Sequence, residues 1–288
     1  MGTSSSYGGL TGGNKLLPPW AQEPDSPPEP DLTPADEDGQ DQAGEKNEDV
    51  ELPAKEEPGV PKWVRMESWR APKGMMRRYA SNKGNLNRTG RAYVRSKGGA
   101  KTAAKNAVAG KSATARLGGF LSDIARNGFL QAFDNLGLRQ VIGQPVEAVF
   151  AAIAQALTPM GATLEDHIAR RAVNDAMADL FQKFGADDDL NQIDQMNEDG
   201  VRDAIKDCVQ NYIYQRWLQE LGDRIEKHAM SAEQAIRMER DVKAYVKEAV
   251  KLDLSKVDVL GMDWNGPQIG QIMDAIYTDA YSMLEVSE

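Results

Sequence analysis

The chemically distinctive positions of this chain are glycines near its start. The first stretch reads MGTSSSYGGLTGGNKLLPPW, with Gly2 behind Met1 and paired glycines at Gly8–Gly9 and Gly12–Gly13. Glycine has no Cβ, so a Gly-Gly segment can enter a narrow channel with its backbone close to the walls. It also leaves an α-amine unhindered. Such an amine has a pKa of about 7.7–8, so roughly a tenth of it is a neutral nucleophile at pH 7; a lysine at about 10.4 is several hundredfold less available. Removal of Met1 exposes Gly2, and cleavage between Gly8 and Gly9 exposes Gly9. An inconsequential Ser/Gly-rich leader is the plainer reading of the same composition. The residues alone leave both open.

Other chemistry is thinly represented. Cys208 is the single cysteine, which rules out a disulfide within the chain and a cysteine zinc site. His167 reads as a solvated or rim histidine, with no serine or cysteine at a pairing distance in sequence. His228 reads as a cation near a helix C-terminus, where the dipole favours it. Gly110-Lys111-Ser112 resembles the tail of a phosphate-binding loop, but Lys105 stands where that loop needs its first glycine and no strand precedes it. Asp187, Asp189, Asn191 and Glu198 fall at calcium-loop spacing, yet Gln192 occupies the position that needs glycine for the sharp turn. Gly2 and Ser6 also fit the N-myristoylation pattern, which is short, common by chance and dependent on a eukaryotic acyltransferase. The expectation is a substrate or adaptor, not an enzyme, with no metal and no cofactor.

What carries the glycines is organised by charge. Residues 1–60 hold 14 acids and 3 bases, residues 61–117 hold 15 bases and a single acid, and residues 118–288 hold 29 acids and 16 bases. The overall charge of −10 thus conceals a basic block between two acidic ones. After the Gly/Ser-rich tip (1–20), residues 21–60 are dense in Pro, Asp and Glu and too poor in aliphatic side chains to offset the cost of ordering. They are expected to be a disordered acidic spacer, a coil of about 40 residues spanning roughly 35 Å on average. A tether, a solubilising tail and a shield over the basic block are its three readings.

Residues 61–114 form the expected basic arm. Trp63, Trp69 and Tyr93 interleave with Arg70, Arg77, Arg78, Arg88, Arg91 and Arg95, while Gly74, Gly84, Gly90, Gly98 and Gly99 should interrupt any long helix. Cations beside rings suit a single-stranded nucleic acid, phosphates on the cations and bases on the rings. They also suit an acidic protein surface with Trp and Arg as anchors, or the chain's own acidic helical body, and docking of one kind or the other is the favoured reading. An Ala-rich stretch at 100–112 should give a short basic helix with Lys101 and Lys105 one turn apart.

From residue 115 the apolar period is helical and no segment alternates with period two. Helices are expected at 115–126 and 129–136, split by Asn127-Gly128. Others should open at Gln144-Pro145, at the Thr163 cap, near Gly200, at the Ser231/Gln234 capping box and at Asn265-Gly266-Pro267. Ile205, Val209, Tyr212, Ile213, Trp217, Leu221 and Ile225 should face a core, with Cys208 beside them as a small apolar residue. The whole is an all-α bundle of six to eight helices behind a long disordered N-terminal region. There is neither a secretory signal pattern nor an apolar run long enough to span a bilayer, so a soluble, cytoplasmic protein without membrane contact is expected.

The opening M-G-T-S-S-S-Y-G-G with L-L-P-P-W, and R-A-Y-V-R-S-K-G-G at 91–99, resemble the QatB family of the bacterial Qat anti-phage defence system. That resemblance implies partners: an ATPase, a QueC-like enzyme and a TatD-like nuclease. QueC-like enzymes activate a deazaguanine carboxylate with ATP and pass it to a nitrogen nucleophile. The resemblance implies that this chain supplies the nucleophile as an N-terminal glycine (Gly2, Gly8 or Gly9) and acquires a covalent deazaguanine-type modification. A nucleic-acid-binding subunit that senses phage DNA or RNA through the basic arm is the alternative.

Overall fold

In the computed structural model, the described residues are 62–158, 161, 163–184 and 196–287. Gly2, Gly8, Gly9, the tip, the acidic spacer and the acidic stretch at 187–191 lie outside them. Glu57–Glu288 form one compact unit. Its described residues are all-helical: α1 (Lys62–Ala80), α2 (Leu86–Ser96), α3 (Ala100–Lys105), α4 (Val108–Asn127), α5 (Phe129–Asn135), α6 (Val146–Leu157), α7 (Leu164–Phe184), α8 (Glu198–His228), α9 (Ala232–Ala249) and α10 (Ile269–Val286). Seven of these, α4–α10, make the body, within the six to eight expected.

The helix ends follow their local chemistry. Asn85 caps α2 by accepting from the amides of Asn87 (2.7 Å) and Arg88 (3.3 Å). Thr163 and Asp166 reciprocate at the start of α7: the Asp166 amide donates to Thr163 Oγ1 and the Thr163 amide to Asp166 Oδ2, both at 3.2 Å. Ser231 Oγ accepts from the Gln234 amide at 3.2 Å, while Gln234 Oε1 accepts from the amide of Met230, one residue before the cap.

The basic segment departs from its expectation. Gly84 lies between α1 and α2, and Gly98-Gly99, both at φ 87°, separate α2 from α3. Gly74 and Gly90, however, lie inside helices, and α1 also runs through Pro72 for 19 residues. Burial explains this. Pro72, Met76 and Ala80 line an inward stripe of α1, with Met76 and Ala80 fully buried, and tertiary packing outweighs local propensity. At Gly90 a Cβ would come within 2.4 Å of the Tyr245 hydroxyl, so the glycine admits α9's side chain. The boundary expected after 114 falls inside α4, and α1–α3 share the core of the body: α1 packs on α8, and α2 and α3 pack on α10.

The hub is α8, which touches α1, α4, α7, α9 and α10. All seven of its expected core residues are buried, as is Cys208. Two of its inward glutamines bond across the core: Gln210 Nε2 donates to the carbonyl of Val250 at 2.6 Å, and Gln215 Nε2 to Asp175 Oδ2 at 2.7 Å. Two apolar helix positions stay outside the core. Leu164 is 52% and Ile236 50% exposed, because α9 turns its Met238–Val242–Val246 stripe inward and Leu164 sits at the very start of α7.

Gly118 on α4 lies against Trp264, whose ring would stand 2.1 Å from a Cβ there. Trp264 is held in place: its Nε1–H donates to the Val259 carbonyl at 3.0 Å, and Ser122 Oγ–H donates to the same oxygen at 2.8 Å. Gly118→Ala is therefore expected to destabilise despite a gain of about 1 kcal/mol in helix propensity, since overpacking costs about 1–3 kcal/mol. Gly74→Ala, with open space around it, should stabilise by up to about 1 kcal/mol. Thermal unfolding of the two variants checks this; a Gly118→Ala protein that melts above the parent would contradict the Trp264 packing.

Candidate functional site: the basic hairpin and the charge chain beneath it

The helices α1 and α2 pack against each other as a hairpin, and the expected binding residues divide between its outside and its inside. Arg70, Arg77 and Arg78 on α1 and Arg88 and Arg95 on α2 are exposed. Arg91 is half-buried and its Nη2 donates to the Ser287 carbonyl at 3.2 Å. Trp63 lies on α1, in the part whose side chains are not described. Trp69 is half-buried and meets Tyr93 edge-on at 6.0 Å. Tyr93 is the correction: expected to face a partner, it is fully buried, 5.0 Å from the Trp217 ring. The i, i+4 arrangement that puts Tyr93 and Lys97 on one side of α2 turns both toward α8.

Lys97 starts a chain of inner charges that sequence reasoning missed. Its Nζ is 2.7 Å from Glu220 Oε1 and lies over the rings of Tyr93 (5.0 Å) and Trp69 (5.4 Å). Arg216 Nε donates to the same Glu220 oxygen at 3.0 Å, and its Nη1 is 3.7 Å from Glu165 Oε1. Glu165 Oε1 in turn accepts from the Tyr212 hydroxyl at 2.9 Å and from the Ala109 amide at 3.4 Å. Two cations and two carboxylates thus join the end of α2, the middle of α8, the start of α7 and the start of α4. The sequence did carry a signal: Arg216 and Glu220, four residues apart, flank Trp217 within the apolar stripe of α8.

Burial and charge set the protonation of this chain. Desolvation alone would push the Glu220 carboxyl up, but Lys97 and Arg216 together hold it below the ordinary glutamate value. Desolvation lowers the Lys97 ammonium, with Glu220 pulling the other way. Tyr93 is pushed well above its ordinary value by burial, with Glu220's charge adding; its hydroxyl and Glu220 Oε2 are buried without a full hydrogen bond. Tyr212, Tyr277 and Tyr281 are likewise raised by burial, so all stay neutral phenols.

The remaining candidates are tied down by structure. The Cys208 thiol is pushed up to about 12, chiefly by burial, and sits 3.4 Å from Thr114 Oγ1, itself 2.9 Å from the Tyr277 hydroxyl. His167 is exposed on α7 and His228 ends α8. Among the described residues no group of three or more His, Cys, Asp or Glu could hold a metal ion, and no helix is long and apolar enough to cross a membrane. An open groove of about 800 Å³ lies between α4, α5 and the turn at 261–265, lined by Arg116, Phe120, Asp123, Leu136 and Trp264 among others. Asp123 is occupied there by the side-chain amides of Asn127 (2.6 Å) and Asn135 (2.8 Å).

Fold and site together define an all-α protein with its inner charges neutralised by one another and a row of cations outside. The chain belongs to the QatB family: the family model described as Qat anti-phage system associated protein QatB matches residues 98–284. It is accordingly a component of an anti-phage defence system. No curated protein and no solved structure matches it.

Lys97→Ala leaves Glu220 buried with Arg216 as its remaining partner, and the side chains of Lys97 and Glu220 are only 9% and 21% exposed. Loss of about 3 kcal/mol is expected, as for a buried pair deprived of one partner; urea unfolding measures it, and a loss under about 0.5 kcal/mol would mean a solvated pair. Glu220 also predicts acid sensitivity. Its folded carboxyl binds a proton less tightly than the unfolded one, so its contribution is complete above about pH 4.3 and fades as pH falls through the lower folded value. Glu220→Gln should flatten the acid limb of stability against pH.

Proposed function

We propose that this QatB-family chain is a non-enzymatic component of the Qat system, whose N-terminal glycine segment is a substrate for processing and modification by a QueC-like partner. The helical unit is the carrier, docking onto other members of the system, among them the ATPase and the TatD-like nuclease. The observation that carries this reading is how fully the nucleophilic and acid–base groups inside the fold are committed to structure. Cys208 is held as a buried thiol, Glu220 and Glu165 are paired with Lys97 and Arg216, and the core tyrosines are neutral. A QueC-like enzyme that activates a carboxylate needs a nitrogen nucleophile to receive it. The α-amine of Gly2, or of Gly9 once the Gly8–Gly9 bond is cut, is far better populated as a free base than any lysine. Attack of that amine forms an amide, the activating group leaves, and the amine gives up a proton.

The test is the intact mass and N-terminal peptide mass of the protein made with and without the QueC-like partner. A mass increase confined to the N-terminal peptide, appearing only with the partner, is expected. Identical masses in both preparations would end the reading. Deletion of residues 1–20 should abolish defence against phage while leaving the thermal unfolding of the helical unit unchanged.

A further inference from the structure

The sequence set cations for phosphates next to rings for bases; the fold separates those whose side chains are described. On the hairpin, Tyr93 is fully buried, Trp69 packs edge-on against it beneath Lys97, and the Tyr79 hydroxyl donates to Asp241 at 3.0 Å. A single-strand groove needs such rings free as stacking platforms. Arg70, Arg77, Arg78, Arg88 and Arg95 stay outside. From Trp69 to Arg116 the sequence contains no Asp or Glu. Arg70, Lys73 and Arg77 fall at i, i+3 and i+7 on α1, and Arg88, Arg91 and Arg95 repeat that spacing on α2. Each triplet is a stripe about 10 Å long at 1.5 Å per residue. Among the described residues no carboxylate lies within ion-pair distance of Arg70, Arg77, Arg78, Arg88 or Arg95, whereas Lys97 and Lys111 have Glu220 and Asp274.

We propose that the α1–α2 hairpin is a docking surface for duplex nucleic acid, gripped through the phosphate backbone without base stacking. A protein partner would look for an apolar centre, since hot spots pair arginine with buried aromatic anchors. Among the residues whose side chains are described, the large exposed hydrophobic ones, Val108, Leu130, Leu164, Met230, Ile236 and Val286, all lie outside α1 and α2. Cations with no large exposed apolar side chain among their described neighbours match a uniform polyanion, and guanidinium forks match phosphate oxygens. The surface therefore reads charge and shape, not sequence. This inference is independent of the glycine chemistry proposed above.

The experiment uses the full chain and a fluorescently labelled DNA duplex titrated between about 50 and 200 mM salt. Log K is expected to fall with log salt at about −0.9 per phosphate engaged, near −4 for four arginines. The double variants R70S/R77S and R88S/R95S should each flatten that slope by about 2 and weaken binding about tenfold or more. Their melting temperatures should stay unchanged, because these side chains have no ion-pair partner among the described residues. Binding that ignores either pair of substitutions, a flat salt dependence, or tighter capture of the matching single strand or of an Asp/Glu-rich peptide would each overturn the proposal.

Discussion

The chain Lys97–Glu220–Arg216–Glu165 constrains the rest of the structure. Withdrawing a charge from water costs several kcal/mol per ion, and only close opposite charges with further hydrogen bonds offset it. Four charged groups under one roof therefore have to meet with good geometry or not be buried at all. That condition fixes the end of α2, the starts of α4 and α7 and the middle of α8 relative to one another. It also explains why the basic segment is part of the folded unit. Lys97 cannot reach Glu220 unless α2 lies on α8 and α10, and once there Tyr93 fills the space beside Trp217.

Close approach of helices at glycine is the complementary device. Tyr212, Trp264 and Tyr245 each press against a helix where a glycine leaves room: Gly110 (2.6 Å to a notional Cβ), Gly118 (2.1 Å) and Gly90 (2.4 Å). Large rings then fill a core that alanines alone would leave shallow, and the Tyr212 hydroxyl reaches into the polar chain. Tyr212 serves Glu165, and Tyr277 serves Thr114 beside Cys208. Packing and electrostatics thus reinforce each other in one place, the middle of α8.

The consequence for function is a partition of charge. Inside, cations and carboxylates cancel; outside, Arg70, Arg77, Arg78, Arg88 and Arg95 have no ion-pair partner among the described residues, on a chain whose net charge is −10. The family match begins at Gly98, one residue after Lys97, so the arginine stripes precede the matched region while the inner chain reaches into it through Arg216, Glu220 and Glu165.

Much of this was legible in the sequence. Apolar spacing placed the core face of α8 from Ile205 to Ile225, and Thr163, Ser231 and Asn127-Gly128 marked helix ends, because both signals act over a few residues. The charge blocks, the single cysteine and the glycines Gly2, Gly8 and Gly9 are properties of the chain itself. Tertiary structure alone decided that α1 continues through Pro72 and Gly74, that Tyr93 faces inward and not toward a partner, and that Ile236 and Leu164 stay in water. It alone brought Lys97 to Glu220 across 123 residues. The reason is one of range: propensity, capping and periodicity are settled by neighbours in sequence, whereas which polar groups must be buried together depends on helices that meet only after folding.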